Sequence, residues 1–314
     1  MSVRGEVHPS SAPWTLDVRA RLRDYLQLAK VRLSSMVLLS ALVGYWLAAG
    51  ELELGHLLWF ATGTFWVVAG ANAINQVLER ESDARMKRTA RRPVPAERLS
   101  VPEASFVAGL MSTSGVIVLF ATCGTLCAGL ALLALGTYVL VYTPMKSRSP
   151  WSTLPGAVAG AIPPLMGFSA VSGSLSPIAW ALFGVLFFWQ FPHTWAIAST
   201  YREDYARVGY RALPVRGTRA RTITATAALV ASSFAPVALG LAGELYLVGV
   251  ALLGVFILTA AFRFGDGTTK STATQLLAAS LIYLPLVLAL FALNTIRGSS
   301  AALAAALGAL GGPV

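Results

Sequence analysis

Apolar runs of about 20 residues recur along the chain, and charged residues fall almost wholly between them. Nine segments fit this pattern: 33–50, 56–78, 104–123, 125–143, 153–172, 177–199, 222–242, 245–264 and 274–295. A helix needs about 20 mostly apolar residues to cross the hydrocarbon core of a bilayer. The pattern therefore predicts an all-α polytopic membrane protein, a nine-transmembrane-helix bundle over 33–295. It leaves an N-terminal tail at 1–32 and a low-complexity Ala/Gly/Leu tail at 296–314.

Composition agrees with that reading. Of 314 residues, 56% are apolar and 12% charged, and the mean hydropathy is +0.66. A soluble domain carries about twice that share of charge. A disordered chain is excluded and a soluble globular fold is disfavoured. Cys123 and Cys127 sit four apart in an apolar stretch, and two thiols alone do not close a metal site. They read as small packing residues.

The formal net charge of +10 comes from 24 Lys and Arg against 14 Asp and Glu, and its distribution says what it means. Six basic residues lie up to Arg32, seven from Arg80 to Arg98, two at Lys146 and Arg148, six from Arg202 to Arg221, and two at Arg263 and Lys270. Only Arg297 is left for the alternate links. The positive-inside rule then puts the N-terminus and the basic links in the cytoplasm and the C-terminus outside. The charge faces a lipid bilayer and calls for no nucleic acid.

The tail before Arg32 carries Glu6, Asp17 and Asp24 and fits neither a secretory signal nor a transit peptide. Its stretch Val18 to Val31 sets Leu22, Tyr25, Leu26 and Ala29 against Arg19, Arg21 and Arg23. This reads as an amphipathic surface helix or as a plain positive-inside anchor.

Chemistry gathers in two of the basic links. Asn75, Glu79 and Asp83 are spaced four apart, so on a helix they share one face, with Asn72 one turn earlier. Amides and carboxylates on the stripe of a membrane helix are costly without partners. Their oxygens suit Mg²⁺, which takes hard ligands and often uses one or two carboxylates plus substrate phosphates. Arg85, Lys87, Arg88, Arg91 and Arg92 beside them are phosphate-binding types. A solvated face with internal ion pairs is the competing reading of this link alone. The second cluster, Tyr201-Arg202-Glu203-Asp204-Tyr205 after Trp189-Gln-Phe-Pro192-His193, lies on the same side. Together the two read as halves of one Mg–diphosphate site. Lys146 and Arg148, on a third link, read first as positive-inside residues and second as ligands.

These segments resemble the UbiA superfamily of intramembrane prenyltransferases, and within it the branch that prenylates haem. The likeness is carried by Asn75-x3-Glu79-x3-Asp83 followed by Met86-Lys-Arg88-Thr89-x2-Arg92-Pro93-x-Pro95. Three further segments agree: Leu28-Ala-Lys30-Val-Arg32, Gly160-Ala-Ile-Pro163-Pro164-Leu-Met-Gly167, and Trp189 through Tyr205 to Leu213-Pro214-Val215. The resemblance implies a bundle with a central cavity and farnesyl transfer from farnesyl diphosphate to the 2-vinyl group of haem B, giving haem O. It assigns Asn75, Glu79 and Asp83 with Glu203 and Asp204 to Mg²⁺, and Lys30, Arg32, Arg88, Arg92, Lys146 and Arg202 to the diphosphate. His193 and Tyr201 fall in the haem-acceptor pocket, His193 as an axial ligand, a propionate partner or a hydrogen-bonded buried histidine. Many members carry Asp where this chain has Glu79. Implied partners are haem A synthase or terminal-oxidase assembly factors, and the implied location is a bacterial inner membrane. A prenyltransferase for another aromatic acceptor, a transporter and a non-catalytic assembly factor are the alternatives.

Overall fold

The computed structural model describes residues 18–211, 218–265 and 269–294. The first 17 residues, Leu213-Pro214-Val215 and the tail 296–314 lie outside them. The described residues form helices α1 (Val18–Leu28), α2 (Val31–Ala48), α3 (Leu54–Leu78), α4 (Arg80–Arg85), α5 (Val101–Gly136), α6 (Thr143–Met145), α7 (Thr153–Ala161), α8 (Pro163–Ser172), α9 (Pro177–Thr200), α10 (Arg202–Val208), α11 (Thr218–Ala238), α12 (Glu244–Arg263) and α13 (Lys270–Asn294). A π-helical turn, Thr137–Tyr142, joins α5 to α6, and a 3-10 turn, Pro150–Ser152, precedes α7.

Seven helical stretches among the described residues are long and apolar enough to cross a membrane: Val31–Ala48, Leu54–Leu78, Val101–Met145, Pro150–Ser172, Pro177–Thr200, Glu244–Arg263 and Lys270–Asn294. The expectation was nine. Two of the expected spans, 104–123 and 125–143, fall on Val101–Met145, which is interrupted at Gly124 by a φ of 84° and a ψ of 174°. The expected span 222–242 falls on α11, which is a helix but opens with Arg219 and Arg221 and is rich in Thr and Ser. Its polarity keeps it out of the seven.

Small residues let the helices approach closely, as membrane bundles require where no hydrophobic gradient drives helix against helix. At the crossing of α3 and α5, a Cβ on Gly115 would lie 2.7 Å from the backbone oxygen of Gly63. Neither position has room for a side chain. On the other side of the bundle, Tyr246 and Tyr283 are fully buried, and their hydroxyls donate to the Ser233 carbonyl at 2.8 Å and the Ser233 hydroxyl at 2.9 Å. These bonds knit α11, α12 and α13 together. Cys123 and Cys127 are free thiols buried in the core.

Helix α1 covers Val18–Leu28 of the stretch Val18 to Val31, and polar contacts seat it. Asp24 accepts from Arg98 Nε at 2.9 Å, Tyr25 donates to Glu103 at 2.5 Å, and Arg21 pairs with Glu103 at 3.2 Å. Leu28 is buried against Val94 and Leu99 of the link that follows α4, whereas Leu22 and Leu26 stay exposed.

Candidate active site

The apolar run of α3 ends at Leu78, and Glu79 leaves helical geometry (φ −95°, ψ 9°) before α4 restarts at Arg80. The i to i+4 bonds nevertheless continue, from Glu79 N–H to the Asn75 carbonyl at 2.9 Å and from Asp83 N–H to the Glu79 carbonyl at 2.7 Å. Asn75, Glu79 and Asp83 therefore keep the spacing of one face through the kink, and all three are buried. A cation from elsewhere meets each. Lys30 Nζ donates to Asn75 Oδ1 at 3.0 Å, Lys146 Nζ lies 2.7 Å from Glu79 Oε1, and Arg92 Nη1 lies 2.5 Å from Asp83 Oδ2. Lys30 occupies a left-handed turn (φ 45°) between α1 and α2, and Lys146 follows α6 directly.

The amides fix this row to its neighbours. Asn75 Nδ2 donates to Thr143 at 3.2 Å, and Asn72 Nδ2 donates to Ser34 at 3.1 Å. Gln76 Oε1 accepts from Val94 N–H at 3.3 Å, and Thr89 donates to the Asp83 carbonyl at 2.9 Å. These bonds fold the basic link back over the end of α3.

The second segment docks on the first. Buried Asp204, in α10, accepts the backbone N–H groups of Lys87 at 3.0 Å and Arg88 at 3.3 Å, with Arg207 3.6 Å away. Arg88 stacks over the Tyr201 ring at 5.1 Å, and the Arg211 N–H donates to the Lys146 carbonyl at 2.9 Å. Three links far apart in sequence thus meet at the basic end of the bundle.

Electrostatics follow from this crowding. Burial pushes the Glu79 carboxyl up, but Lys146, with help from Lys30 and Asn75, holds it below the usual carboxylate range. Burial works against the charge on Lys146, yet Tyr142, Glu79 and Tyr138 around it hold its ammonium well above the usual lysine value. Lys30 is pushed down to about 7, first by burial and then by Arg92 and Lys146. Burial also raises Tyr205 to about 12.

Two cavities open here. One of about 620 Å³ at the basic end is lined by Lys87, Arg88, Arg202, Glu203, Asp204 and Lys270, together with residues 199–201. The other, about 300 Å³ and mostly apolar, lies among the membrane helices, with Asn72, Tyr138, Tyr142, Gln190, His193 and Tyr205 in its walls. Helix α9 and its continuation run past both.

The expected site residues divide accordingly. Asn75, Glu79, Asp83, Lys30, Lys146 and Arg92 form one cluster. Asp204, Glu203, Arg88, Arg202 and Tyr201 line the outer cavity, where Glu203 and Arg202 are exposed, and His193 lines the inner one. Arg32 is exposed and stands outside the cluster, in the first turn of the helix that starts after the turn at Lys30. Thr143, Gln76, Tyr138, Lys270 and Ser280 belong to the site surroundings but were not singled out. Lys270 carries a sequence signal as a basic residue of the same side, and the ring of Tyr138 lies 5.4 Å from that of Tyr142.

The donor set suits a hard divalent cation. Asp83 Oδ1 is buried without a hydrogen-bond partner among the described residues, next in register to Glu79 and Asn75. Among those residues no three Asp, Glu, His or Cys side chains converge on one point.

The protoheme IX farnesyltransferase of Solibacter usitatus is 40% identical over 288 residues, covering 87% of this chain and 99% of that protein. That of Anaeromyxobacter dehalogenans is 45% identical over 241 residues, covering 75% of this chain and 81% of that one. A solved structure concerned with digeranylgeranylglyceryl phosphate synthase superposes with a TM-score of 0.73 at 20% identity, covering 88% of this chain and 98% of its own. A UbiA homologue from Archaeoglobus fulgidus bound to GPP and Mg²⁺ superposes with a TM-score of 0.63 at 18% identity, covering 85% and 99%. At these identities the two structures speak for the fold. With residues 37–282 matching its sequence pattern, the chain belongs to the UbiA prenyltransferase family.

Proposed function

We propose that the chain transfers a farnesyl group from farnesyl diphosphate to the 2-vinyl group of haem B, forming haem O. The observation that carries this reading is the grip of Asp204 on the N–H groups of Lys87 and Arg88, which joins two acid- and cation-bearing segments into one mouth above an apolar cavity. The names of the sequence relatives support the choice of acceptor. The one-sided charge supports a mouth that opens to the cytoplasm of a bacterial inner membrane.

Cleavage of the farnesyl C1–O bond sends the electron pair to the diphosphate and leaves an allylic cation. Lys30, Lys146 and Arg92 stand where they can take the negative charge, with Arg88 and Arg202 at the outer cavity. Mg²⁺ held by Asp83, Glu79 and Asn75 oxygens, with Asp204 on the facing segment, would neutralise the leaving group further. Tyr138 and Tyr142 offer π faces to the cation, and the apolar walls keep water from it. The vinyl carbon attacks C1, so the new cation sits next to the porphyrin ring, and water adds there with loss of a proton.

The test uses full-length protein in detergent with haem B, farnesyl diphosphate and Mg²⁺, read by mass spectrometry. Haem enlarged by one farnesyl group and one water, absent in Asp83→Ala and Asp204→Ala, is expected. Mg²⁺-dependent consumption of farnesyl diphosphate with no haem product would mean another acceptor, and no consumption by folded protein would overturn the enzyme reading.

A further inference from the structure

We propose that His193 binds the iron of the acceptor porphyrin through Nε2, and that Ser280 fixes the imidazole tautomer that leaves Nε2 free to do so. The inference rests on the haem-acceptor reading above and adds to it a specific atom and a positioning residue from the last helix.

Proton bookkeeping carries the argument. Ser280 is fully buried in α13, and its hydroxyl donates to the Leu277 carbonyl at 2.7 Å. A hydroxyl has one proton. Toward His193 Nδ1, 2.9 Å away, the same oxygen can therefore only accept, so Nδ1 carries the hydrogen. A neutral imidazole has a single N–H, which leaves the lone pair on Nε2. Among the described residues no hydrogen-bond partner meets Nε2.

The ring is held on a second side as well. Trp189 stacks on it with centroids 4.2 Å apart and planes at 18°, and the Trp189 indole N–H donates to the Ser280 carbonyl at 2.7 Å. Indole and imidazole are thus both tied to one residue of α13. His193 also forms part of the wall of the 300 Å³ cavity. A ring held at Nδ1–H, with no hydrogen-bond partner for Nε2 among the described residues and in a residue that lines a cavity, has the outer hydrogen bond of a metal-ligating histidine in place.

The test compares haem B with metal-free protoporphyrin IX, titrated into the full chain in detergent and followed by Soret absorption and by quenching of protein fluorescence. His193→Ala is expected to weaken haem binding at least tenfold and shift the Soret band, with protoporphyrin binding unchanged and the band restored by added imidazole. Ser280→Ala is expected to lose about tenfold in haem affinity, as for removal of a ligand's outer hydrogen bond, and Ser280→Thr to keep it. Equal losses for haem and protoporphyrin in His193→Ala, or an unchanged Soret band, would overturn iron ligation while leaving the transferase reading intact. Wild type that binds neither porphyrin, yet consumes farnesyl diphosphate, would instead overturn the acceptor reading on which the inference stands.

Discussion

Lys146 and Glu79, brought together from links 67 positions apart, form an ion pair of 2.7 Å with both side chains largely shielded from water. Breaking a buried pair from one side strands the other charge, at a cost of about 3–5 kcal/mol. Lys146→Met and Glu79→Gln should each lower the melting temperature in detergent. The double variant should recover most of that loss without recovering activity. The pair's contribution is present above the ordinary carboxylate value of 4.5 and vanishes as pH falls through the lowered Glu79 value. A double variant no more stable than either single one would show that the pair is not coupled.

Lys30 gives a pH dependence of the opposite kind. Its ammonium, pushed down to about 7, sheds its proton near neutrality in the folded chain, whereas the unfolded chain keeps it up to the ordinary 10.5. Between those values the unfolded state binds more protons, so the linkage makes folding more favourable as pH rises. Binding of a diphosphate has the reverse preference, because it needs the charged form. The KM for the prenyl diphosphate should therefore rise as pH climbs through about 7. In Lys30→Met it should be higher throughout and flat across that range. A wild-type KM independent of pH there would remove Lys30 from the diphosphate site.

Much of this architecture was legible in the sequence because charge marks the ends of membrane helices. The expected spans 56–78 and 177–199 became Leu54–Leu78 and Pro177–Thr200, and the gap left at residue 124 is where Gly124 breaks the long helix. The spacing of Asn75, Glu79 and Asp83 survived even a kink at Glu79. Pairings were not legible. That Lys30 would meet Asn75, or that Asp204 would hold the backbone of Lys87 and Arg88, depends on how helices far apart in sequence pack. No periodicity carries that information. Ile162, where the expected span 153–172 divides into α7 and α8, sits before Pro163 and Pro164, a helix-breaking signal present in the sequence.

The grip of Asp204 predicts a mechanical as well as a chemical loss. Its carboxylate takes two backbone N–H groups, and charge-assisted hydrogen bonds of this kind contribute about 1.5–3 kcal/mol each. Asp204→Ala should free the link 86–100, seen as faster cleavage by trypsin within Arg85 to Arg98, with activity lost. Asp204→Asn keeps one acceptor and should show intermediate cleavage. Equal trypsin sensitivity in all three forms would mean that other contacts hold the link.

Where α3 and α5 touch, the backbone oxygen of Gly63 lies within 2.7 Å of where a Gly115 Cβ would be, and Val67 N lies equally close. Backbone on both sides leaves nothing soft to yield. Overpacking of a tight contact costs about 1–3 kcal/mol, occasionally more. Gly115→Leu should reduce the melting temperature and the yield of monodisperse protein. Gly109→Leu, on the same helix with open space around it, should leave both unchanged. Equal behaviour of the two variants would place the helix contact elsewhere.

Asp83 offers the sharpest test of the metal. One of its oxygens is held by Arg92 at 2.5 Å, while the other is buried without a hydrogen-bond partner among the described residues. A buried carboxylate oxygen left unpaired is costly, and a divalent cation held at Asp83 would supply the missing partner. Asp83→Asn preserves the shape but removes the charge that such a cation needs. Chelation with EDTA should abolish prenyl transfer by wild type, and added Mg²⁺ should restore it. Asp83→Asn should need at least about tenfold more Mg²⁺ for half-maximal rate. Its binding of farnesyl diphosphate without metal, measured by calorimetry, should change far less, because Lys30 and Lys146 remain. Full activity in EDTA, or an unaltered Mg²⁺ requirement in the variant, would mean that Asp83 serves only to hold Arg92.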